Sequence, residues 1–165
     1  ESTGEKAGYA TASLTEFAGH RIILAMSAKA LVGVDADAGK LLFRYVHETK
    51  YDVNALKPIC VDGHVFISSG YGAGSEMVKL SASGGKITAE QVWESKAMDN
   101  HHGGVILWDG YLYGADSRSK WVCLDWETGA EQYAERGVGK GSLTFADGML
   151  YIRDQDILFC YDVKK

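Results

Sequence analysis

The polar side chains best suited to binding a ligand lie in short connections that contain glycine or other small residues. These connections are residues 8–11 (GYAT), 54–57 (NALK), 99–104 (DNHHGG) and 137–142 (GVGKGS). Binding residues concentrate on loops held by a rigid scaffold, and glycine lets a ligand approach the backbone. The predicted ligand-binding residues are Asn100, His101, His102 and Lys140, with Tyr9 and Lys57 beside them. Lys140, which lies between two glycines, would suit an anionic ligand.

Each of these residues also has an interpretation that needs no ligand. Adjacent residues of an extended chain point to opposite sides, so either His101 or His102 could bind while the other hydrogen-bonds a neighbouring element. Lys140 could equally be an exposed turn lysine. A metal site on the two histidines would need a third ligand, for which Asp99 and Asp116 are available in the sequence. No metal site is predicted, and His101 and His102 are the residues that such a site would use.

The sequence contains no motif that identifies an active site. It has no Ser-His-Asp set with a glycine elbow and no pair of catalytic carboxylates. The stretch GKGS at 139–142 lacks the leading glycine and the following helix of a phosphate-binding loop. The glycine-rich stretch at 70–74 joins two predicted strands, which is the wrong context for a dinucleotide site. No catalytic residue is predicted.

The elements that must position these connections are repeated along the chain. The segment 31–45 (LVGVDADAGKLLFRY) is typical of strand, turn and strand. It returns as 122–136 (VCLDWETGAEQYAER), more loosely as 77–93 (MVKLSASGGKITAEQVW) and, cut short, as 158–162 (LFCYD). Tight-turn dipeptides keep step with it at Ala18-Gly19, Asp62-Gly63, Asp109-Gly110 and Asp147-Gly148. Both markers recur about every 40–45 residues, the period of a four-stranded β-propeller blade.

The predicted fold is all-β, a β-propeller of four-stranded antiparallel blades. Residues 1–8 are predicted to be a disordered end or cut linker, and residues 9–165 a partial propeller. About four blades are expected, roughly at 9–46, 57–94, 100–136 and 139–163, with the last one incomplete. In a closed propeller each blade packs against a neighbour on both sides, so that no blade leaves an inner face uncovered. The chain is therefore expected to belong to a seven- or eight-bladed ring or to pair as half-rings, with a self-contained four-bladed propeller as the alternative.

Repetition also separates turn-building residues from candidate binding residues. Asp35, Asp125 and Asp162 each end a predicted strand at an equivalent position. A carboxylate in this position accepts backbone N–H bonds in an Asx-turn, whereas catalytic residues are not usually repeated once per blade. These three residues are predicted to be structural.

Composition and charge exclude several classes of function. The net charge is −5 with scattered charges and no basic stripe, which argues against nucleic-acid binding. No stretch approaches the roughly 18 apolar residues of a membrane span. The three cysteines lie singly in apolar strands, which predicts small buried side chains without disulfides. The chain starts at Glu1 without methionine or a signal sequence, so either a leader has been removed or the chain is a fragment.

The repeat resembles a known family. Residues 34–43 (VDADAGKLLF), echoed by 124–129 (LDWETG), are similar to the pyrroloquinoline-quinone-like (PQQ-like) repeat, whose consensus is close to Ala-x-Asp-x-x-Thr-Gly-Lys-x-x-Trp. That repeat builds the propellers of quinoprotein alcohol dehydrogenases, of the bacterial outer-membrane assembly lipoprotein and of many secreted bacterial proteins. The last group has stretches like NHHGG and GVGKGSLT. In the family the repeat tryptophan docks between blades, and the resemblance assigns that place to Phe43, Trp93 and Tyr133.

The resemblance leaves two functions open. The first is a non-catalytic binding or scaffolding propeller, periplasmic or secreted, that presents a loop-lined channel face to a protein, peptide or saccharide. Aromatic residues cluster in the third predicted blade, and some of them could add outward contacts: Trp108, Tyr111, Tyr113, Trp121 and Trp126. For Trp108 and Tyr113, packing between blades is the favoured interpretation. The alternative is a quinoprotein dehydrogenase that oxidises alcohols or sugars with PQQ and calcium. The adjacent cysteine pair of those alcohol dehydrogenases is absent, and no Asn/Asp/Glu cluster suggests calcium ligands, so the binding function is favoured.

Overall fold

The chain is built entirely from short antiparallel strands. The computed structural model describes residues 4–137 and 139–163, and those residues form fifteen β-strands in four sheets with no helix. The described part of the chain therefore has no helix that could span a membrane. The all-β prediction is confirmed, and residues 1–3, 138, 164 and 165 lie outside the described residues.

The first two sheets each have four strands in sequential order. The first sheet contains β1 (Ser13–Phe17), β2 (His20–Met26), β3 (Ala30–Asp35) and β4 (Leu41–Val46). The second contains β5 (Ile59–Val61), β6 (His64–Ser69), β7 (Gly74–Ser83) and β8 (Lys86–Ser95). Sequential order with antiparallel pairing is the topology of a propeller blade.

The third and fourth sheets repeat this order, and the fourth has one strand fewer. The third sheet contains β9 (Val105–Trp108), β10 (Tyr111–Asp116), β11 (Lys120–Asp125) and β12 (Glu131–Arg136). The fourth contains β13 (Ser142–Ala146), β14 (Met149–Asp154) and β15 (Ile157–Asp162). The incomplete fourth blade was predicted from the sequence. The size of a complete ring stays a prediction.

The chain divides into two compact units, each with its own apolar cluster. The first unit comprises the described residues up to Ile67 together with Glu76–Glu94, and the second comprises Ser68–Ser75 together with the described residues from Ser95 onward. In the first unit the cluster is formed by Ile22, Leu24, Met26, Leu31, Phe43, Val65, Ile67, Val78, Leu80 and Ile87. In the second it is formed by Tyr113, Ala115, Trp121, Cys123, Leu150 and Ile152. Each cluster draws side chains from two successive sheets, so burial of apolar surface holds neighbouring sheets together.

The tight turns follow from residues that tolerate positive φ. Asp62 and Gly63 have φ of 47° and 74°, and Asp109 and Gly110 have 47° and 79°. Positive φ at both central residues gives the turn whose twist matches the flanking strands of a hairpin. These dipeptides therefore set where the first strand of each blade turns into the second.

The repeated aspartates build turns, as predicted. Asp35 Oδ1 accepts hydrogen bonds from the backbone N–H groups of Asp37 and Ala38 at 3.0 and 2.8 Å. Asp125 Oδ1 accepts a hydrogen bond from Thr128 Oγ1 at 2.7 Å, and also bonds from two backbone N–H groups. The structural role of these two residues is confirmed. The turn that would follow Asp162 reaches beyond the described residues.

A glycine makes room for an aromatic ring in the first sheet. Gly33 on β3 is paired with Phe43 on β4, next to an irregularity in the register of the two strands. A Cβ atom on Gly33 would lie 2.1 Å from the Phe43 ring. The ring is buried in the apolar cluster of the first unit, which draws on the first and second sheets. Phe43 thus packs in the place that the family resemblance gives to the repeat aromatic residue.

A polar contact joins the first two sheets within the first unit. His47 follows β4 and is buried, and its Nδ1 lies 2.7 Å from Glu76 Oε1 on β7. Tyr45 donates a hydrogen bond from its hydroxyl group to the other oxygen of Glu76. Burial raises the pKa of Tyr45, and the bond to Glu76 raises it further. A half-buried carboxylate with two partners favours one relative position of the two strands.

Residues 5–8 form hydrogen bonds with residues of the first sheet and its turns. Glu5 pairs with Arg44 on β4, with Arg44 Nε donating to Glu5 Oε1 at 2.6 Å, and also accepts a hydrogen bond from Ser27. The backbone N–H of Ala28 donates to Lys6 O at 2.8 Å. The polar composition of this segment does not reveal these bonds, because they depend on where β2 and β4 end. The first three residues of the predicted disordered end lie outside the described residues.

The cysteines are unpaired but differ in exposure. Cys60 is half-buried, Cys123 is buried and Cys160 is exposed. Cys123 lies opposite Tyr113, and Cys160 lies opposite Tyr151, which confirms that they occupy equivalent positions. Burial raises the pKa of Cys123 to about 11. Cys160 departs from the predicted burial because β15 is the outermost strand of the three-stranded sheet.

Candidate binding site in the second unit

Three connections of the second unit meet around His101. The Tyr71 ring, in the loop between β6 and β7, contacts the His101 ring edge-on with 4.7 Å between centroids. The His101 and His102 rings are also 4.7 Å apart. Lys140 Nζ, from the connection between β12 and β13, lies 3.3 Å from His101 Nδ1. We call Tyr71, His101, His102 and Lys140 the His101 cluster.

A buried carboxylate holds two of these connections together. Asp99 is 5% exposed, and its Oδ1 accepts hydrogen bonds from the backbone N–H groups of Gly72 at 2.9 Å and Gly74 at 3.3 Å. Its Oδ2 accepts a hydrogen bond from Ser117 Oγ. Charge-assisted bonds of this kind are the stronger ones in proteins. Asp99 therefore fixes the glycine-rich loop against the connection that carries His101.

Asn100 anchors the same connection from below the surface. It is 1% exposed, and its Nδ2 donates to Gly104 O at 3.0 Å and Ala115 O at 2.9 Å. Its backbone N–H donates to Ser68 Oγ at 3.1 Å. Among the described residues, its Oδ1 is buried without a hydrogen-bond partner. These bonds let Asn100 hold the connection in place, and its predicted contact with a ligand stays a prediction.

The Lys140 connection is held by close backbone contacts. A Cβ atom on Gly103 would lie 2.1 Å from Gly141 O, so only glycine fits where the two connections touch. The backbone N–H of Leu143 donates to Gly103 O at 3.2 Å. The backbone N–H of Gly139 donates to Asp154 Oδ2 at 2.6 Å. Lys140 thus projects from a backbone that is tied down on both sides.

The electrostatics favour a neutral imidazole at His101. Burial lowers the pKa of His101, and the charge of Lys140 and the neighbouring His102 lower it further, while Asp99 opposes them. A neutral ring offers a nitrogen acceptor to the Lys140 ammonium group. Lys140 and His102 are exposed, so the ammonium charge of Lys140 faces solvent.

Tyr71 is held in a conformation that costs free energy. Its φ is 63°, in the left-handed region that bulky residues rarely occupy, yet 44% of its surface is exposed. Most other described residues with positive φ are glycines or small or polar turn residues; Tyr9 is the second aromatic one. Strain of this kind gathers at binding sites, where a side chain is kept for its contacts.

The remaining predicted residues lie in the first unit. Tyr9 is 76% exposed with φ of 76°, and it forms an isolated bridge with Asn54. Asn54 is buried, and its Nδ2 donates to three backbone carbonyl groups, those of Ser27, Ala28 and His47. Lys57 is exposed. The structure therefore brings His101, His102 and Lys140 together, while Tyr9 and Lys57 stay predictions for a separate place.

The described residues do not offer a metal site. Residues 4–137 and 139–163 contain no group of three or more His, Cys, Asp or Glu side chains that could hold a metal ion. Asp99 is taken up by hydrogen bonds, and the buried Asp116 accepts a bond from Arg118 Nε at 2.7 Å. Neither aspartate is therefore free to complete a site with His101 and His102. The donor set that a calcium-bound quinone would need is not assembled by these residues.

A sequence comparison decides the family. Residues 1–135 match the family model described as outer membrane protein assembly factor BamB. The chain belongs to this family. Its members are built from the PQQ-like propeller repeat, and that resemblance is confirmed. No curated protein matches the chain by sequence.

Solved structures confirm the β-propeller fold. The computationally designed Ika4 protein matches with a TM-score of 0.67 at 12% identity, covering 94% of this chain and 92% of its own. BamB from Moraxella catarrhalis matches with a TM-score of 0.64 at 16% identity, covering 96% of this chain and 48% of its own. A europium-containing methanol dehydrogenase matches with a TM-score of 0.53 at 11% identity, covering 87% and 38%. The chain thus spans about half the length of this BamB, and identities this low show the fold alone.

Sequence reasoning missed Tyr71 and the function of Asp99. The stretch 70–74 fits no nucleotide motif, but the sequence does show an aromatic residue between glycines in it. Blade topology supplied the missing signal. In an antiparallel four-stranded blade, the loop between the second and third strands lies at the same end as the connection to the next blade. The Tyr71 loop and the His101 connection are such a pair.

Proposed function

We propose that this chain is part of a non-catalytic binding propeller that acts outside the cytoplasm and presents its loop connections to a protein partner. The family model is described as an assembly factor, which supports a protein partner over a saccharide. The same description, an assembly factor for outer membrane proteins, supports a location outside the cytoplasm. Propellers use loops on a rigid scaffold for such contacts.

The proposal rests on a difference in burial among the polar residues of the connections, some of which are buried while others are exposed. Asp99, Asn100 and Asn54 are buried, and their side chains form hydrogen bonds with backbone groups. Asp99 holds the loop on which Tyr71 is exposed, and Asp154 and Gly103 hold the connection on which Lys140 is exposed. A rigid base with an exposed aromatic and cationic surface suits contact with a partner.

The quinoprotein dehydrogenase is not supported as a second function. The likeness to the methanol dehydrogenase concerns the fold, and a shared fold does not carry an activity. The described residues also lack the side-chain group that would hold the metal. The direct test adds the quinone with calcium and follows dye reduction with alcohols or sugars. No reduction is expected, and reduction above a control without protein would overturn the non-catalytic proposal.

Site-specific cross-linking tests the binding function. A photoreactive p-benzoylphenylalanine is placed at position 102, in the cells that naturally produce the chain. The matched control carries it at position 86, an exposed lysine at the start of β8. We expect one discrete adduct from position 102, identified by mass spectrometry and formed again from the two purified proteins. No adduct, or the same adduct from position 86, would contradict the proposal.

A further inference from the structure

The charged residues around the His101 cluster are sorted by burial. The basic residues Lys96, Arg118 and Lys140 are exposed. The acidic residues Asp99 and Asp116 are buried, and Asp154 is half-buried with Gly139 N–H donating to it. Two acidic residues of the described part of this unit are exposed near these connections, Glu135 on β12 and Asp156 in the turn between β14 and β15. A partner at these connections would therefore meet Lys96, Arg118 and Lys140, whereas Asp99 and Asp116 lie out of its reach.

The basic side chains are also tied to the loops of this unit. Lys96 Nζ donates to Ala73 O at 2.6 Å, next to the Tyr71 loop. Arg118 donates from Nη2 to Lys96 O at 3.1 Å. Positions fixed in this way lose less conformational entropy on binding than free side chains.

We propose that the His101 cluster, with Lys96 and Arg118 beside it, binds an acidic peptide segment of a protein partner. The inference rests on the proposed binding function and adds the chemistry of the partner. Lys140 supplies a cation, and Tyr71 supplies a flat ring against which the peptide chain packs. The strained backbone of Tyr71 keeps that ring exposed at a fixed place.

Because the whole chain is negatively charged, a preference for an acidic peptide has to come from a local group of basic residues. With a net charge of −5, the chain as a whole repels an acidic peptide. Binding must then come from particular basic residues, and it must weaken with salt. A non-specific surface of this net charge would instead prefer a basic peptide.

His101 links the binding to pH. The groups that face its ring are Tyr71 from the preceding loop, Asp99 and His102 from its own connection, and Lys140 from the next one. In the free protein the ring is neutral at physiological pH because its pKa is lowered. A bound carboxylate favours the charged ring and raises that pKa. The affinity for an acidic peptide should therefore rise as the pH falls toward the pKa of the free His101.

The test compares labelled peptides of equal length by fluorescence anisotropy with the full chain. The acidic probe alternates glutamate with serine, the basic probe alternates lysine with serine, and the neutral probe alternates glutamine with serine. We expect the acidic probe to bind best, with affinity increasing between about pH 7.5 and pH 6. Lys140→Gln should weaken it about fivefold. The control Lys86→Gln, which removes an exposed lysine at the start of β8 in the first unit, should leave the affinity within about twofold.

Each contrary outcome points to a different error. Equal affinity in Lys140→Gln and Lys86→Gln would overturn the placement of the acidic segment on this cluster. Tighter binding of the basic or neutral probe would overturn the acidic chemistry, and the cross-link at position 102 would still test the binding function. Displacement of the acidic probe by inorganic phosphate at matched ionic strength would mean a small-anion site and would also overturn the inference.

Discussion

Asp99 Oδ1 and Gly72 N are joined by a hydrogen bond of 2.9 Å across 27 residues of sequence. The same carboxylate also accepts bonds from Gly74 and Ser117, so a single side chain orders two connections and the turn after β10. The candidate binding surface therefore depends on a residue that does not itself face solvent. This relationship makes the Tyr71 loop testable independently of any ligand.

Asp99→Ala should destabilise the chain and loosen the glycine-rich loop. It leaves the N–H groups of Gly72 and Gly74 without their acceptor, which we expect to cost about 2–4 kcal/mol of the free energy of unfolding. Asp99→Asn keeps one acceptor oxygen and should cost less. Urea unfolding measures the loss, and amide hydrogen exchange at Gly72 and Gly74 should speed up in the alanine variant. The control Asp156→Ala removes an exposed turn aspartate, and a loss as large as that of Asp99→Ala would contradict the assignment.

Tyr71→Gly should separate stability from binding. Glycine removes the cost of φ near +63°, about 1–2 kcal/mol, and loses about 0.5–1 kcal/mol in backbone entropy. The free energy of unfolding should therefore change by less than about 1 kcal/mol. Binding of the acidic probe should fall, because the ring is gone. A variant that is much less stable would show instead that Tyr71 is a packing residue.

Gly33→Ala should force Phe43 out of its place. The added methyl group would lie 2.1 Å from the ring, and overpacking of this kind costs about 1–3 kcal/mol. Phe43→Leu, made alone, reports the loss of ring packing. In the double variant the smaller leucine side chain should accommodate the methyl group. The double variant should therefore lose less free energy of unfolding than the sum of the losses in the two single variants. Strict additivity in urea unfolding would contradict the contact.

The repeated aspartates should make the chain acid-sensitive. Backbone N–H groups and His20 lower the pKa of Asp35, and the Thr128 hydroxyl with backbone N–H groups lowers that of Asp125. A carboxylate with a lowered folded-state pKa stabilises the fold above its unfolded pKa of about 3.9, and that contribution is lost as the pH falls through the folded pKa. The melting temperature should therefore drop below about pH 4. The double variant Asp35→Asn/Asp125→Asn should show a flatter profile than the control Glu127→Gln, and equal slopes would contradict this origin.

Much of the blade architecture could be predicted from the sequence because it is local. Two kinds of turn mark the blades, the Asp-Gly turn seen at Asp62-Gly63 and the Asx-turn seen at Asp125. Each is encoded within a few residues of chain. The candidate site could be predicted only in part. His101, His102 and Lys140 stand out by residue type, but the bonds from Asp99 to Gly72 and from Asn100 to Ala115 join distant segments. Only the packing of the sheets decides whether such polar residues face a ligand or hold a loop.

Titration of His101 by NMR tests the geometry of the cluster without any partner. Burial is the largest cause of its lowered pKa, and the charge of Lys140 comes next. Lys140→Gln should therefore raise the pKa of His101, while burial still keeps it below the ordinary value of about 6.5. His102→Gln should raise it as well, by a smaller amount, since its contribution ranks after that of Lys140. Lys86→Gln should leave the titration unchanged. A His101 titration that ignores Lys140→Gln would mean that the ammonium group does not lie against the ring, and the proposed site for an acidic peptide would lose its central contact.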